Sequence, residues 1–343
     1  MITKKKHVNI PVFIPHLGCP NMCVFCNQRS ISGVTEFSVG NVVSQIESAL
    51  TTIDSSVTEV ELAFFGGSFT GIDRELMIEL LEIGRSYLDR GLIHSMRCST
   101  RPDYINEEIL ALLQVYGMST IELGIQSMDD SVLCASRRGH TSHLTREACR
   151  AVLEAGFSLV GQMMIGLPGA TLDTEIECAE FISLCGAQAA RVYPTVVFYG
   201  TELCAMCDCG EYIPLLLDDA VERTKRVLDV FDKNSIKVIR VGLCSAENLT
   251  DDKHVFAGAN DVSIGERAMS ALYLDRIYSL LDSMVDLGGK CCVIQCSKGS
   301  ISKVSGHRRK NKSSICEKYG IKSVKILEND KLIGYNIKID ITD

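Results

Sequence analysis

The sequence predicts an α/β fold: an incomplete (β/α)6 TIM-like barrel with a small C-terminal α+β appendage. Three observations carry this. Apolar strand-like runs alternate with helix-periodic stretches from the start to about residue 244. Segments rich in glycine and polar residues fall where those strands end. Beyond Gly242 the alternation loosens. Repeated βα units imply a parallel sheet with helices outside it, and six units are too few to close an eight-unit barrel.

Ile10–Ile14 is the first short apolar strand, and it stops just before a cysteine loop. Val60–Phe65 is the second and ends in Gly66-Gly67. A helix follows, with Leu76, Met77, Leu80, Leu81 and Leu88 on its apolar face and Asp73 as its cap. Met96–Ser99, Thr120–Ile125, Leu159–Ile165 and Ala190–Tyr193 are the remaining strands. Helical stretches near Asn106–Tyr116, Leu144–Ala155, Leu172–Leu184 and Asp218–Phe231 separate or follow them. In the appendage a helix near Arg267–Val285 precedes strands near Lys290–Gln295, Ser323–Leu327 and Lys331–Ile339. Residues 1–244 are read as the barrel and 245–343 as the appendage, a candidate substrate-binding region.

At 343 residues and 46% hydrophobic content the chain can bury a substantial core. No apolar run reaches the ~18 residues of a membrane span. The start, Met1-Ile-Thr-Lys-Lys-Lys6, is charged but lacks the apolar core of a signal peptide. A cytoplasmic location is expected. The 16 cysteines are scattered without the spacing of a secreted disulfide scaffold, which suits a reducing compartment. A net charge of −8 argues against wholesale nucleic-acid binding but leaves room for a local basic patch.

The decisive segment is Cys19-Pro-Asn-Met-Cys23-Val-Phe-Cys26, a CxxxCxxC spacing. Thiolates are the usual ligands of iron–sulfur clusters, and a four-iron cluster normally takes four. Three leave one iron open for a substrate or cofactor, by the logic that separates catalytic from structural metal sites. The amino and carboxylate groups of S-adenosylmethionine can fill that position. An electron from the cluster then breaks a sulfur–carbon bond and leaves a 5′-deoxyadenosyl radical. A zinc loop is the competing reading. Zinc prefers paired Cys-x2-4-Cys elements and a fourth protein ligand, and no second pair lies close by.

Other candidates fall at strand ends, where parallel barrels place their active sites. Gly66 and Gly67 let the backbone approach a ligand closely. Ser99 and Asp103 can bond a ribose or carboxylate, or serve as turn and cap residues. Gln126 directly follows an apolar strand. Arg138, in Arg137-Arg138-Gly139-His140, offers a cation for a methionyl carboxylate. Strand five carries Gln162 and then Met163-Met164-Ile165-Gly166-Leu167-Pro168-Gly169, whose methionines read as core filling.

The cysteine motif with Phe25 before its last cysteine resembles the radical SAM superfamily. So do the glycine pair after strand two and the Gly-Leu-Pro-Gly turn after strand five. Pro15-His-Leu-Gly-Cys19, Ser99-Thr-Arg-Pro-Asp103, Glu122-Leu-Gly-Ile-Gln126 and Arg138-Gly-His-Thr141 resemble the branch containing the Elongator catalytic subunit. They are similar, more distantly, to oxygen-independent coproporphyrinogen oxidase. The resemblance implies a [4Fe-4S] cluster on Cys19, Cys23 and Cys26. It places Gly66 and Gly67 at the amino group of S-adenosylmethionine. It places Ser99, Gln126, Arg138 and Gln162 at the ribose or carboxylate. It also implies an external electron donor such as flavodoxin or ferredoxin. This sequence leaves no room for the acetyltransferase domain of Elongator subunits, so acetyl transfer is not expected.

Two features remain. Cys204, Cys207 and Cys209 are read as loop thiols or, with Cys291, Cys292 or Cys296, as ligands of an auxiliary cluster. Between Lys298 and Lys312 stand Lys298, Lys303, Arg308, Arg309, Lys310 and Lys312, with His307 and no acid. This is either a solvated surface loop or a contact for the phosphates of tRNA through Arg308, Arg309, Lys310 and Lys312. The leading expectation is a radical enzyme acting on an RNA base, in particular a tRNA uridine. A tetrapyrrole or other small-molecule substrate is the enzymatic alternative. A non-catalytic iron–sulfur or zinc scaffold is the alternative of a different class.

Overall fold

A computed structural model describes residues 6–14, 18–19, 23–26, 37–54, 58–243 and 253–343. Pro15–Leu17 and Pro20–Met22 of the quoted motifs lie outside the described residues, as does the expected boundary at 244–245. The principal sheet is parallel and seven-stranded. Its first six strands are β1 (Lys6–Ile14), β2 (Thr58–Gly66), β3 (Ser95–Thr100), β4 (Thr120–Gln126), β5 (Ser158–Ile165) and β6 (Ala189–Pro194). A short β7 (Val196–Phe198) leaves the sheet, and β8 (Lys237–Val241) returns to pair with β6. The strand order β1-β2-β3-β4-β5-β6-β8 gives a half-barrel with β1 and β8 as edges.

The sequence pattern does not reveal β8. Its five residues include Lys237 and Arg240, and a register shift after Ala190 breaks its alternation. An edge strand with charges on it lacks the apolar signature of the six inner strands.

Helices follow the strands, most of them packed on the convex face. They are α1 (Val39–Thr52), α2 (Arg74–Asp89), α3 (Glu107–Val115), α4 (Asp130–Ala135), α5 (Ser142–Glu154), α6 (Leu172–Leu184), α7 (Glu202–Asp208) and α8 (Leu217–Lys233). The Asp73 carboxylate caps α2 as expected, accepting from the amides of Glu75 and Leu76 at 3.0 and 3.1 Å. Asn106 caps α3 in the same way. Strand alternation sends Val60, Leu62 and Phe64 of β2 and Ile121, Leu123 and Ile125 of β4 outward into a core shared with Met77, Leu80, Leu81 and Leu113. Each such fully buried side chain stabilises the fold by about 1.5–3 kcal/mol. Met163 belongs to this core, as expected for a filling residue.

After β9 (Val255–Gly258), which pairs antiparallel with β7, comes α9 (Ile264–Leu281). It packs on α8 and on a three-stranded sheet of β10 (Cys291–Cys296), β11 (Ser323–Glu328) and β12 (Ile337–Thr342). The helices α10 (Ile301–Ser305) and α11 (Lys310–Tyr319) lie between β10 and β11. The last strand begins six residues later than its apolar run suggests, because residues 329–336 form turns closed by Asn329 and Asn336. This sheet and α9 enclose a second apolar core around Tyr273, Ile277, Ile294, Ile315 and Ile339.

Candidate active site

The cysteine loop sits at the C-terminal end of β1. Gly18 has φ +77°, and a side chain there would meet the carbonyl oxygen of Ser68 at 2.2 Å. Glycine therefore lets the loop press against the segment after β2. Cys23 is buried, and Cys19 and Cys26 are half-buried. The Val24 amide donates to the Ser136 carbonyl and the Val24 carbonyl accepts from Leu203, which ties the loop to the end of α4 and to α7. Burial pushes the Cys19 thiol up, opposed by the guanidinium of Arg101 and reinforced by Cys23. Among the described residues no three His, Cys, Asp or Glu side chains stand close enough to hold a metal ion together.

The donor chemistry nonetheless fits an iron–sulfur centre. The Cys23 sulfur accepts from Arg138 Nη1 at 3.2 Å, with Arg101 Nη1 at 4.0 Å. Hydrogen bonds to the ligand sulfurs are among the features that tune iron–sulfur centres. Two polar atoms, Arg138 Nε and Gln126 Oε1, are buried without a hydrogen-bond partner. Gln126 is 4% exposed and holds φ +68° at a register shift between Gly124 and Gln126. Left-handed backbone at a non-glycine residue costs about 1–3 kcal/mol and persists only where the surroundings enforce it. Arg138 Nη2 donates to the Gly124 carbonyl at 2.6 Å. A side chain at Gly124 would meet Gln126 Nε2 at 3.0 Å and Arg138 Nη2 at 3.2 Å.

Arg138 thus links Cys23 to the end of β4, where Gln126 stands beside Gly124. Ser99 and Gln162 flank β4 on either side, half-buried, in register with Glu122 and Gly124. Gly66 has φ +114°, and a Cβ there would lie 2.3 Å from the Ile14 carbonyl oxygen. The Gly67 amide donates to that same oxygen at 3.2 Å, so it serves the junction of β1 and β2. Three hydroxyls that the sequence reading passed over join the ends of β2 and β3. Thr100 Oγ1 lies 2.7 Å from Ser68 Oγ and 2.6 Å from Thr70 Oγ1.

The concave face is polar, unlike the aliphatic layers that fill closed barrels. Glu61 accepts from Arg97 at 2.8 Å, and Arg97 lies 3.8 Å from Glu122. Arg191 reaches Glu122 at 2.8 Å, sits 5.2 Å over the Phe65 ring and donates to the Tyr193 hydroxyl at 3.3 Å. Burial pushes the Glu122 carboxyl up against the pull of Arg191 and Arg97. A charged residue inside an apolar strand, as Glu122 is in Thr120–Gln126, is the sequence signal for this lumen.

Residues 13–182 match the radical SAM superfamily model, and residues 187–272 match the Radical_SAM C-terminal domain. The chain belongs to the radical SAM superfamily. It is 27% identical to human Elongator complex protein 3 over 62% of this chain and 46% of that protein. It is also 27% identical to the tRNA uridine(34) acetyltransferase of Methanocaldococcus jannaschii, over 48% of this chain and 34% of that one. The chain thus spans about half the length of the Elongator protein it matches. Among solved structures, an Elp3 from Methanocaldococcus infernus covers 80% of this chain and 64% of its own, with a TM-score of 0.61 at 18% identity, a likeness of fold.

This radical SAM chain is an enzyme, and its cofactors are a [4Fe-4S] cluster and S-adenosylmethionine. The zinc and scaffold readings are set aside. When bound, the two cofactors supply the 5′-deoxyadenosyl radical by one-electron cleavage of S-adenosylmethionine.

Beyond the centre, the turn after β5 is braced from behind. Glu175 accepts from the Gly166 amide at 2.7 Å and from Arg223 at 3.1 Å. Cys204 and Cys207 lie in the helix α7, not in a loop as expected. Apolar spacing in Leu203, Cys204, Met206 and Cys207 packs this helix against Val24 and Phe25. Cys209 is exposed, whereas Cys292 and Cys296 fill the second core. Ordinary packing thus accounts for the buried members of the second cysteine set. The basic segment exposes Arg308, Arg309 and Lys310 at the start of α11, with Lys312 half-buried two residues on. Arg308 and Arg309 hold φ +52° and +62°. Behind them Asn311 Nδ2 donates to the Ser270 and Val304 carbonyls, clamping the segment to α9.

Proposed function

We propose that this radical SAM enzyme acts on an RNA base, in particular a tRNA uridine. The cluster is assigned to Cys19, Cys23 and Cys26. Gly66 and Gly67 approach the amino group of S-adenosylmethionine, and Ser99, Gln126, Arg138 and Gln162 take its ribose and carboxylate. The observation that carries the substrate reading is the polar lumen. Phe65, Arg191 and Tyr193 offer hydrogen-bonding groups beside aromatic rings, which suit a small planar base better than a wide tetrapyrrole. A base must leave its stack to enter such a lumen. The similarity to Elongator complex protein 3 and to a tRNA uridine(34) acetyltransferase points the same way.

On this reading residues 245–343 form the substrate-binding appendage. Arg308, Arg309, Lys310 and Lys312 meet phosphates, which position RNA without reading its sequence. The electron comes from a flavodoxin- or ferredoxin-type donor, and the reducing cytoplasm is the expected compartment. No described helix is long and apolar enough to cross a membrane.

Filter binding of tRNA across a salt series tests the proposal. Affinity should fall steeply with salt as counterions are released. The double variant Arg308→Glu with Arg309→Glu should bind more weakly, while uncoupled cleavage of S-adenosylmethionine survives. Equal affinity at low salt would remove this segment from the mechanism. No binding by the wild type would favour a small-molecule substrate.

A further inference from the structure

We propose that Arg101 is a fixed cation that sets the electron affinity of the cluster at Cys23, with Asp103 as its counter-charge. The inference rests on the assignment of Cys23 as a cluster ligand. Arg101 is 3% exposed and is held through Nε and Nη2. Its Nε and Nη2 donate to the two carboxylate oxygens of Asp103 at 2.8 Å each. Nη2 also donates to the Arg138 carbonyl, and Nη1 points at the Cys23 sulfur from 4.0 Å. The Arg101 amide donates to Ser68 Oγ at 3.1 Å, so the backbone is fixed as well.

A bidentate fork dictates which edge of a guanidinium faces away from its carboxylate. Here the free Nη1 edge faces the sulfur. The pair is therefore a dipole with its positive end on Cys23 and its negative end on the half-exposed Asp103. Charges and hydrogen bonds at the ligand sulfurs set the potential of an iron–sulfur cluster. Reduction takes one electron from an external low-potential donor and lowers the cluster's charge by one, with no bond made or broken in that step. A buried cation, weakly screened, stabilises the more negative state. Arg138 differs in kind, since it spends Nη2 on a carbonyl and leaves Nε unpartnered.

The test is a redox titration followed by electron paramagnetic resonance, on anaerobically reconstituted full-length chains without S-adenosylmethionine. Iron content is measured in parallel. Arg101→Met should retain iron and lower the equilibrium constant for reduction roughly tenfold, a midpoint about 59 mV more negative for one electron. Arg101→Lys should shift the same way by less. Asp103→Asn should move the midpoint to more positive values. Opposite signs from the two partners of one ion pair are the mark of a field effect, because loosening the loop would move both variants alike. An unchanged midpoint in Arg101→Met, or shifts of one sign in Arg101→Lys and Asp103→Asn, would overturn the inference. The second comparison decides the matter if Arg101→Met fails to hold iron. Full iron in Cys23→Ala would instead overturn the ligand assignment beneath it.

Discussion

Replacing Gly66 by alanine separates a structural role from a binding role at the double glycine. The Gly66 Cα carries φ +114°, outside the range that side-chain-bearing residues favour. The new Cβ would stand 2.3 Å from the Ile14 carbonyl oxygen and 2.8 Å from its carbonyl carbon, where ordinary contact begins near 3.4 Å. The neighbour is backbone, and β1 must retreat by about 1 Å. Unfavourable φ costs about 1–2 kcal/mol and overpacking about 1–3 kcal/mol, so a loss of about 2–5 kcal/mol is expected. Because the cysteine loop leaves the same end of β1, iron content should fall too. Urea denaturation with parallel iron analysis checks both. Gly67→Val is the contrasting case. It should keep the iron but weaken S-adenosylmethionine binding by calorimetry. A Gly66→Ala chain that unfolds at the wild-type urea concentration with full iron would refute the packing argument.

Further expectations concern the rest of the site. Anaerobic reconstitution should give about four irons per chain, with alanine at Cys19, Cys23 or Cys26 abolishing cofactor cleavage in a chromatographic assay of 5′-deoxyadenosine. Arg191→Met leaves Glu122 buried with only Arg97 at 3.8 Å and should destabilise the chain by about 3–5 kcal/mol, measured by urea denaturation. His140 is held down to about 4 by burial and by Arg138, from an ordinary value of 6.5. The unfolded chain thus binds the extra proton first, and stability falls as pH drops from 6.5 towards 4, by at most about 3 kcal/mol. His140→Asn should flatten that slope in denaturation midpoints taken across the range.

The sequence exposed the half-barrel because each inner strand turns an apolar face to helices with their own caps and periodicity. Asp73, Asn106 and the run Val60–Phe65 are legible for that reason. The edge strand Lys237–Val241 was not, since a bulge and two cations erase its alternation. At the site, residue type and spacing singled out Cys23, Gln126 and Arg138. What spacing cannot carry is convergence across strands. The fork of Arg101 on Asp103, the hydroxyls of Ser68, Thr70 and Thr100, and the ladder from Glu61 to Arg191 each join residues about 30 or more apart or read locally as turn chemistry. The helical setting of Cys204 and Cys207 was hidden because free cysteines pack as small hydrophobes, and seven residues show too little periodicity.

The proposed radical chemistry on tRNA can be met directly by one measurement. Reconstituted enzyme is reduced under anaerobic conditions with S-adenosylmethionine, with and without tRNA, and 5′-deoxyadenosine is quantified by chromatography. 5′-Deoxyadenosine should form, faster with tRNA present, and Cys23→Ala should abolish it. Cleavage indifferent to tRNA, or no cleavage by a chain carrying its full iron, would contradict it.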